Sequence, residues 1–146
     1  MSRKVEKLQP AVQEKWLAAV ALMEAAGTRF CLVSTLRTTE EQVAYYAQGR
    51  KDFVTVCQLR AVAGLPPIEE YENKYTITNC DGIKILSNHQ YGTAVDVVPV
   101  QNNGNPYWPP AGALAWIPIR EAMEAAGFTS GSRWKSFPDW PHYEFS

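Results

Sequence analysis

Histidine is scarce in this sequence, because its 146 residues include only two, His89 and His142. Any chemistry that needs an imidazole is therefore confined to these two positions. An excess of one charge is also lacking, since 14 Lys and Arg against 15 Asp and Glu leave a formal net charge of −1. So small a net charge creates no long-range attraction to nucleic acids or anionic membranes. We therefore expect no nucleic-acid partner, and the composition leaves open only a local charged patch.

Several motifs that identify common reactions are absent. The three cysteines, Cys31, Cys57 and Cys80, include no Cys-x-x-Cys pair, so a thiolate zinc knuckle is not expected. No His-Glu-x-x-His helix is present, nor a phosphate-binding Gly-x-x-x-x-Gly-Lys loop, nor a Gly-x-Gly-x-x-Gly fingerprint. The Gly-x-Ser-x-Gly elbow of serine hydrolases is also missing. These absences leave little support for the familiar protease, nucleotide-binding and esterase layouts.

Long apolar runs are lacking as well. No stretch approaches the 18 apolar residues of a membrane span, and the start, MSRKVEKLQP, has no apolar core of a secretory signal. We therefore expect synthesis in the cytosol, without a signal peptide and without membrane insertion. The length of 146 residues fits a single domain, residues 1–146, that needs no disulfide to fold.

Hydrophobic spacing and turn signals predict helices that alternate with strands. The predicted helices cover about 8–26, 38–49 and 112–126. The predicted strands cover about 29–36, 75–80, 93–100 and 142–145. Thr38 and Glu41 have the spacing of a capping box, whereas Pro118 should kink the last helix or displace its start. Residues 50–74 could begin as a short helix or a strand before a Pro-rich loop. The strands cluster centrally, so we expect an α+β fold with a small, mainly antiparallel sheet flanked by helices.

Each histidine lies close to a carboxylate in the sequence. His89 is followed by Asp96, and the chain must turn back for both to reach one ion, since seven extended residues span about 23 Å. Gly92 stands where that turn is needed and tolerates unusual backbone angles. Asp96 lies among the valines of a β-prone run, where an unpaired carboxylate is costly. A metal, an arginine or a set of backbone N–H groups could each compensate it.

The second histidine lies in the segment Asp139-Trp-Pro-His142-Tyr-Glu144. Pro141 restricts its own backbone and biases the residue before it to extended geometry. Asp139 could therefore serve as a general base beside a metal, or orient the imidazole. A structural role for His142, as a cap or a hydrogen-bonded surface histidine, stays open at this point. Two imidazoles and one carboxylate form a known catalytic zinc set.

These segments resemble a known family. Ser87-x-His89-x-x-Gly92-x-Ala94-x-Asp96, followed by Asp139-x-x-His142, is similar to the zinc peptidases that cut bacterial cell-wall peptides. That family includes D-Ala-D-Ala dipeptidases and carboxypeptidases and the L-alanyl-D-glutamate endopeptidases of phage endolysins, and it shares its fold with the hedgehog signalling domain. Ser34-Thr-Leu-Arg37-Thr38-x-x-x-Gln42 resembles the family's strand-to-helix segment whose arginine faces the substrate. Residues 50–74 match nothing in the family pattern.

The resemblance implies a role for each matching residue. His89, Asp96 and His142 would bind Zn²⁺, and Asp139 would act as the catalytic base, with Glu144 as the alternative base or a supporting carboxylate. Substrate binding would fall to three further residues, namely Arg37, Ser87 and Gln42. The partner would be bacterial peptidoglycan, and we expect a monomer.

Asp139 occupies a position where the dipeptidase and carboxypeptidase branches usually carry Glu, which favours the L-alanyl-D-glutamate branch. An endolysin of this type is made in the host cytoplasm and reaches the wall after release through a separate pore-forming protein. Two alternatives stay open: a D-Ala-D-Ala carboxypeptidase or dipeptidase, and a non-catalytic zinc-containing binding module.

Overall fold

The computed structural model describes residues 2–145 and contains two compact units. One unit comprises residues 37–91, and the other comprises residues 2–36 and 92–145. The α-helices are α1 (Pro10–Ala25), α2 (Thr39–Ala47), α3 (Phe53–Val62) and α4 (Ile117–Ala125). The strands are β1 (Phe30–Ser34), β2 (Ala94–Pro99), β3 (Thr129–Ser130) and β4 (His142–Glu144). No helix within residues 2–145 is long and apolar enough to cross a membrane.

The four strands of the described residues belong to the unit of residues 2–36 and 92–145. They form one sheet in the order β1-β2-β4-β3, and every neighbouring pair is antiparallel. This confirms the predicted α+β class with an antiparallel sheet. β2 is an inner strand, so Asp96 lies opposite Ser34 of β1 on one side and opposite His142 of β4 on the other.

Helices α1 and α4 pack on the apolar face of this sheet. The buried side chains of α1 are three or four positions apart, so they form one stripe along the helix. On β2, Val95 and Val97 are fully buried in the same core. The other buried members of this cluster include Val12, Trp16, Ala19, Met23, Ile119, Met123, Phe128 and Tyr143. Burial of this apolar surface is the main source of stability for the sheet unit.

Local signals set the ends of several helices as the sequence predicts. Thr38 accepts a hydrogen bond from the backbone N–H of Glu41, and the Glu41 carboxylate accepts one from the backbone N–H of Thr38. This capping box begins α2, as predicted. Pro118 displaces the start of the last helix, since a short 3₁₀ turn over Leu114–Trp116 precedes α4 and Pro118 occupies its first turn.

The unit of residues 37–91 contains α2, α3, a 3₁₀ helix over Glu70–Lys74 and a long irregular segment. The ambiguous start of the 50–74 segment is helical, because Asp52 caps α3 by accepting the backbone N–H of Thr55.

The predicted strand over residues 75–80 is wrong. Tyr75 and Ile77 are exposed rather than buried on a sheet face. Backbone carbonyls of the segment accept hydrogen bonds from side chains instead of a neighbouring strand. Arg50 donates to the carbonyl of Thr78, and Gln42 donates to that of Cys80. These contacts override the β propensity of the sequence.

Candidate metal and catalytic site

Strand pairing places three polar side chains on one face of the sheet. Asp96 lies opposite His142, and Ala94 lies opposite Glu144, so Asp96, His142 and Glu144 share a face. The neighbours Val95 and Val97 point to the other face and are fully buried. The alternation of β2 therefore separates a polar face from the apolar core.

Both ring nitrogens of His142 lie near carboxylates. Nδ1 is 3.6 Å from Oδ1 of Asp96, and Nε2 is 2.9 Å from Oε2 of Glu144. The ring of Trp134 stacks obliquely on the imidazole, with the centroids 4.8 Å apart. Burial alone would lower the pKa of His142, but the carboxylates of Asp96, Glu144 and Asp139 outweigh it and raise the pKa to about 9. The surroundings of His142 thus favour a cation at this position.

A tight loop over residues 131–141 carries Asp139 toward His142. The backbone N–H of Asp139 donates to the carbonyl of Gly131 (2.9 Å), and the backbone N–H of His142 donates to the carbonyl of Asp139 (3.3 Å). A Cβ on Gly131 would lie 2.5 Å from the Asp139 carbonyl oxygen and 3.0 Å from the His142 Cβ. Only glycine fits this close approach, so Gly131 helps to set the positions of Asp139 and His142.

His89 lies in a turn that its neighbours stabilise. The backbone N–H of His89 donates to Oγ of Ser87 (3.2 Å), and the backbone N–H of Ser87 donates to the side-chain oxygen of Gln90 (2.9 Å). The carbonyl of His89 accepts the backbone N–H of Arg37 (3.0 Å). Gly92 follows with φ of 72°, which confirms the predicted turn. Ser87, predicted to bind substrate, is buried and shapes the backbone at His89.

The structure brings together the three residues predicted as metal ligands. His89, Asp96 and His142 each offer one ligand atom, and these atoms lie within 4.8 Å of one another. Both histidines are buried and Asp96 is partly exposed. Two imidazoles and one carboxylate match a catalytic zinc set that leaves a fourth position for water or substrate. The donor chemistry of these residues therefore fits a zinc ion.

Arg37 and Gln42, both predicted to bind substrate, are in direct contact. Nη1 of Arg37 donates to Oε1 of Gln42 at 2.8 Å. The guanidinium also lies over the ring of Tyr45, 4.7 Å from its centroid. Sequence reasoning missed Tyr45 as a contact of Arg37, and it also missed Gly131, which lies beside Asp139 and His142. Tyr45 follows Gln42 by three positions on α2, a spacing that places two side chains on one helix face. The close approach at Gly131 leaves no comparable signal in the sequence.

Sequence comparison finds similarity over part of the chain. Residues 81–145 match the model of a family described as D-alanyl-D-alanine carboxypeptidase. Peptidoglycan L-alanyl-D-glutamate endopeptidase CwlK of Bacillus subtilis (strain 168) is 33% identical over 64 residues, which cover 40% of this chain and 38% of that protein. The similarity thus spans well under half the length of this curated relative.

Structural comparison covers almost the whole chain. The L-Ala D-Glu endopeptidase ChiX of Serratia marcescens superposes with a TM-score of 0.59 at 18% identity, covering 97% of this chain and 83% of ChiX. The D,D-pentapeptidase VanY from a VanB-type resistance cassette, solved as a variant in complex with Zn(II), superposes with a TM-score of 0.58 at 16% identity, covering 94% and 72%. At such identities the likeness establishes a shared fold.

Proposed function

We propose that this chain is a zinc-dependent peptidase of bacterial peptidoglycan, in the zinc D-Ala-D-Ala/L-alanyl-D-glutamate peptidase family. The family match over residues 81–145, the similarity to CwlK and the fold shared with ChiX and VanY support the proposal. The whole chain would act as one peptidase domain. The observation that carries the proposal is the grouping of His89, Asp96 and His142, whose ligand atoms lie within 4.8 Å of one another.

In this proposal the two ring nitrogens of His142 have different partners. Since Nδ1 of His142 faces Asp96, Nδ1 is the nitrogen that would bind the metal beside that carboxylate. Nε2 of His142 is then held by Glu144, at 2.9 Å. A carboxylate behind a ligating histidine fixes the tautomer and the ring orientation. We therefore assign Glu144 to orienting His142 rather than to proton transfer.

Asp139 is the general base of the proposal. When bound, zinc supplies Lewis acidity toward a carbonyl oxygen and lowers the pKa of water. Both histidines are then occupied as ligands, so proton transfer falls to a carboxylate. Asp139 is held by its backbone hydrogen bond to Gly131 and would take a proton from water and return it to the leaving amine.

For the scissile bond we propose L-Ala–D-Glu. CwlK and ChiX, both described as endopeptidases for this bond, support the choice. Arg37 would bind the carboxylate of D-glutamate through paired N–H groups. In the same proposal the chain is a monomeric endolysin that reaches the wall after release from the cytoplasm.

A D,D-carboxypeptidase is the second candidate. The description of the matching family and the likeness to VanY favour it. The two activities leave different products, because an endopeptidase exposes a new N-terminal D-Glu and a carboxypeptidase releases D-Ala.

Digestion of purified peptidoglycan, followed by mass spectrometry, tests the proposal. We expect new N-terminal D-Glu with zinc-loaded protein and none after chelation. Released D-Ala instead would assign the second activity. Zinc and wall binding without either product would identify a non-catalytic binding module and overturn the enzymatic proposal.

A further inference from the structure

Arg37 occupies an electrostatically unfavourable position. It precedes Thr38, the residue that caps α2, so its cation lies near the positive end of the helix dipole. Such a cation needs compensation if it is to keep one conformation. The first turns of α2 provide it in two forms, a side-chain oxygen from Gln42 and an aromatic face from Tyr45.

Gln42 is fully buried, and its side-chain amide forms hydrogen bonds within the protein. Its oxygen accepts from Arg37 at 2.8 Å, and its nitrogen donates to Oγ1 of Thr78 (3.1 Å) and to the carbonyl of Cys80 (2.8 Å). The amide orientation follows from chemistry, because a guanidinium only donates and a carbonyl only accepts. Both amide hydrogens are therefore used, which leaves Gln42 little capacity to bind substrate.

The surroundings of Gln42 keep it in place. Gly82 packs against its side chain so closely that a Cβ there would lie 2.8 Å from Cγ of Gln42. Gln42 therefore links Arg37 to the irregular segment at residues 78–82.

Tyr45 carries a second guanidinium on its ring. Arg60 of α3 lies 5.8 Å from the ring centroid, and its Nε donates to the carbonyl of Pro66 at 2.7 Å. Arg60 is buried, so this contact joins the 50–74 segment to Tyr45 and through it to Arg37. Cation–π contacts of this kind are stronger when they are shielded from water.

We propose that Gln42 and Tyr45 are positioning residues that hold the Arg37 guanidinium in the orientation in which it binds a substrate carboxylate. The 50–74 segment supports this arrangement through Arg60. The inference rests on the proposed function, because it takes Arg37 to be the group that binds the anionic part of the peptide. Gln42 acts through Arg37 and does not itself contact the substrate.

The test measures steady-state kinetics on a stem peptide whose D-glutamate carboxylate is either free or amidated. We expect Gln42→Met to raise KM for the free acid by about tenfold, the loss associated with one hydrogen bond to a charged group. The value of kcat should change little, because the carboxylate is bound equally before and during the reaction. For the amidated peptide the effect should be small. Tyr45→Leu should behave similarly, and Tyr45→Phe should keep the wild-type KM.

A double variant and a control variant distinguish the positioning of Arg37 from a general effect on the structure. In Arg37→Ala the further change Gln42→Met should leave KM unaltered, since there is no guanidinium left to position. Gln48→Met is the matched control, because Gln48 is also buried on the same unit and donates to the carbonyl of Glu72 (3.2 Å). It should leave KM unchanged. A Gln42→Met effect of equal size in the Arg37→Ala background would overturn the inference.

A spectroscopic measurement covers the case in which the wild type cleaves neither peptide and the proposed function fails. In ¹⁵N NMR spectra, restrained rotation should give separate Nη signals for Arg37 in the wild type and an averaged signal in Gln42→Met. Averaged signals already in the wild type would contradict the positioning role, whatever the activity.

Discussion

At the scale of single residues, the carboxylates around His142 differ in what they touch. Glu144 contacts Nε2 at 2.9 Å, whereas Asp96 faces Nδ1 at 3.6 Å. The backbone carbonyl of Asp139 accepts the backbone N–H of His142, and the charge of the Asp139 carboxylate helps to raise the pKa of the imidazole. Three carboxylates near one histidine can therefore have three separate tasks: metal ligand, orienting partner and base.

Substitution of Asp139 separates catalysis from metal binding. We expect Asp139→Asn to bind near-normal zinc while kcat falls by about 10²–10⁴, the usual contribution of a general base. His142→Ala should lose both wall lysis and zinc, to below one ion per chain, with the fold intact by circular dichroism. Metal analysis and turnover on purified wall measure both effects. Unchanged turnover in Asp139→Asn would move the base role to another residue.

Glu144→Gln distinguishes an orienting carboxylate from a base. A glutamine oxygen can still accept the Nε2 proton of His142, but without charge. We expect zinc affinity to fall by about 10–100-fold, the effect of losing such a partner, while the zinc-saturated variant keeps most of its kcat. Competition with a zinc chelator measures the affinity. Full zinc affinity combined with lost turnover would show that Glu144 is the base.

At the scale of elements, the loop from Gly131 to His142 has little room for change. We expect Gly131→Ala to displace Asp139 and His142, because the added Cβ would lie 2.5 Å from the Asp139 carbonyl oxygen. Overpacking of this kind costs about 1–3 kcal/mol. Thermal unfolding and zinc titration should show both lower stability and weaker zinc binding.

Gly104→Ala is the matched control for this change. Gly104 has φ of 89°, and a Cβ there would meet nothing within 4 Å. Its substitution should lower stability through backbone strain alone and leave zinc binding unchanged. Equal loss of zinc affinity in both variants would contradict the role of Gly131.

The stability that the irregular segment at residues 81–85 gives to the folded protein should depend on pH. Oδ1 of Asp81 accepts the backbone N–H groups of Ile83, Lys84 and Ile85 at 2.8–2.9 Å. Hydrogen bonds from Ile85 and then Ile83 hold the pKa of Asp81 below its usual value. A lowered pKa in the folded state stabilises the protein above the unfolded value, about 3.9, and this contribution is lost as pH falls through the folded value.

Urea unfolding between pH 2 and 6 measures this contribution. The stability difference between wild type and Asp81→Asn should be constant near pH 6 and shrink as the pH falls below about 4. A difference that does not vary with pH over this range would show that the Asp81 charge does not stabilise the segment.

Helix ends that are set by residues a few positions away could be predicted from the sequence. Segments whose conformation depends on residues far along the chain could not. The capping box at Thr38 and the displaced helix start at Pro118 follow from neighbours a few positions away. The segment 75–80 has the composition of a strand, yet Gln42 and Arg50 occupy its carbonyls. The grouping of His89, Asp96 and His142 was implied by the family resemblance, and the turn at Gly92 is consistent with it. The contact of Gly131 with Asp139 depends on tertiary structure and leaves no such pattern.

At the scale of the whole molecule, zinc should contribute to stability by mass action. A ligand that binds only the folded state at about 100 times its Kd stabilises it by about 2.7 kcal/mol. For a chain of this length that corresponds to a rise in Tm of about 5–10 °C. Scanning calorimetry before and after chelation measures it. His142→Ala serves as the control, and an equal zinc-dependent shift in that variant would place the stabilising ion elsewhere.

The position of Asp96 on an inner strand has one more consequence. Its partners are Ser34 on one side and His142 on the other, and successive residues of β2 point to opposite faces. A slip of β2 by one residue would bring Val95 or Val97 beside His142 and turn the carboxylate into the apolar core. Misassembled molecules would therefore lack one of the three proposed ligands. If the proposed site binds zinc, we expect the zinc content of a preparation to fall with its fraction of misassembled molecules.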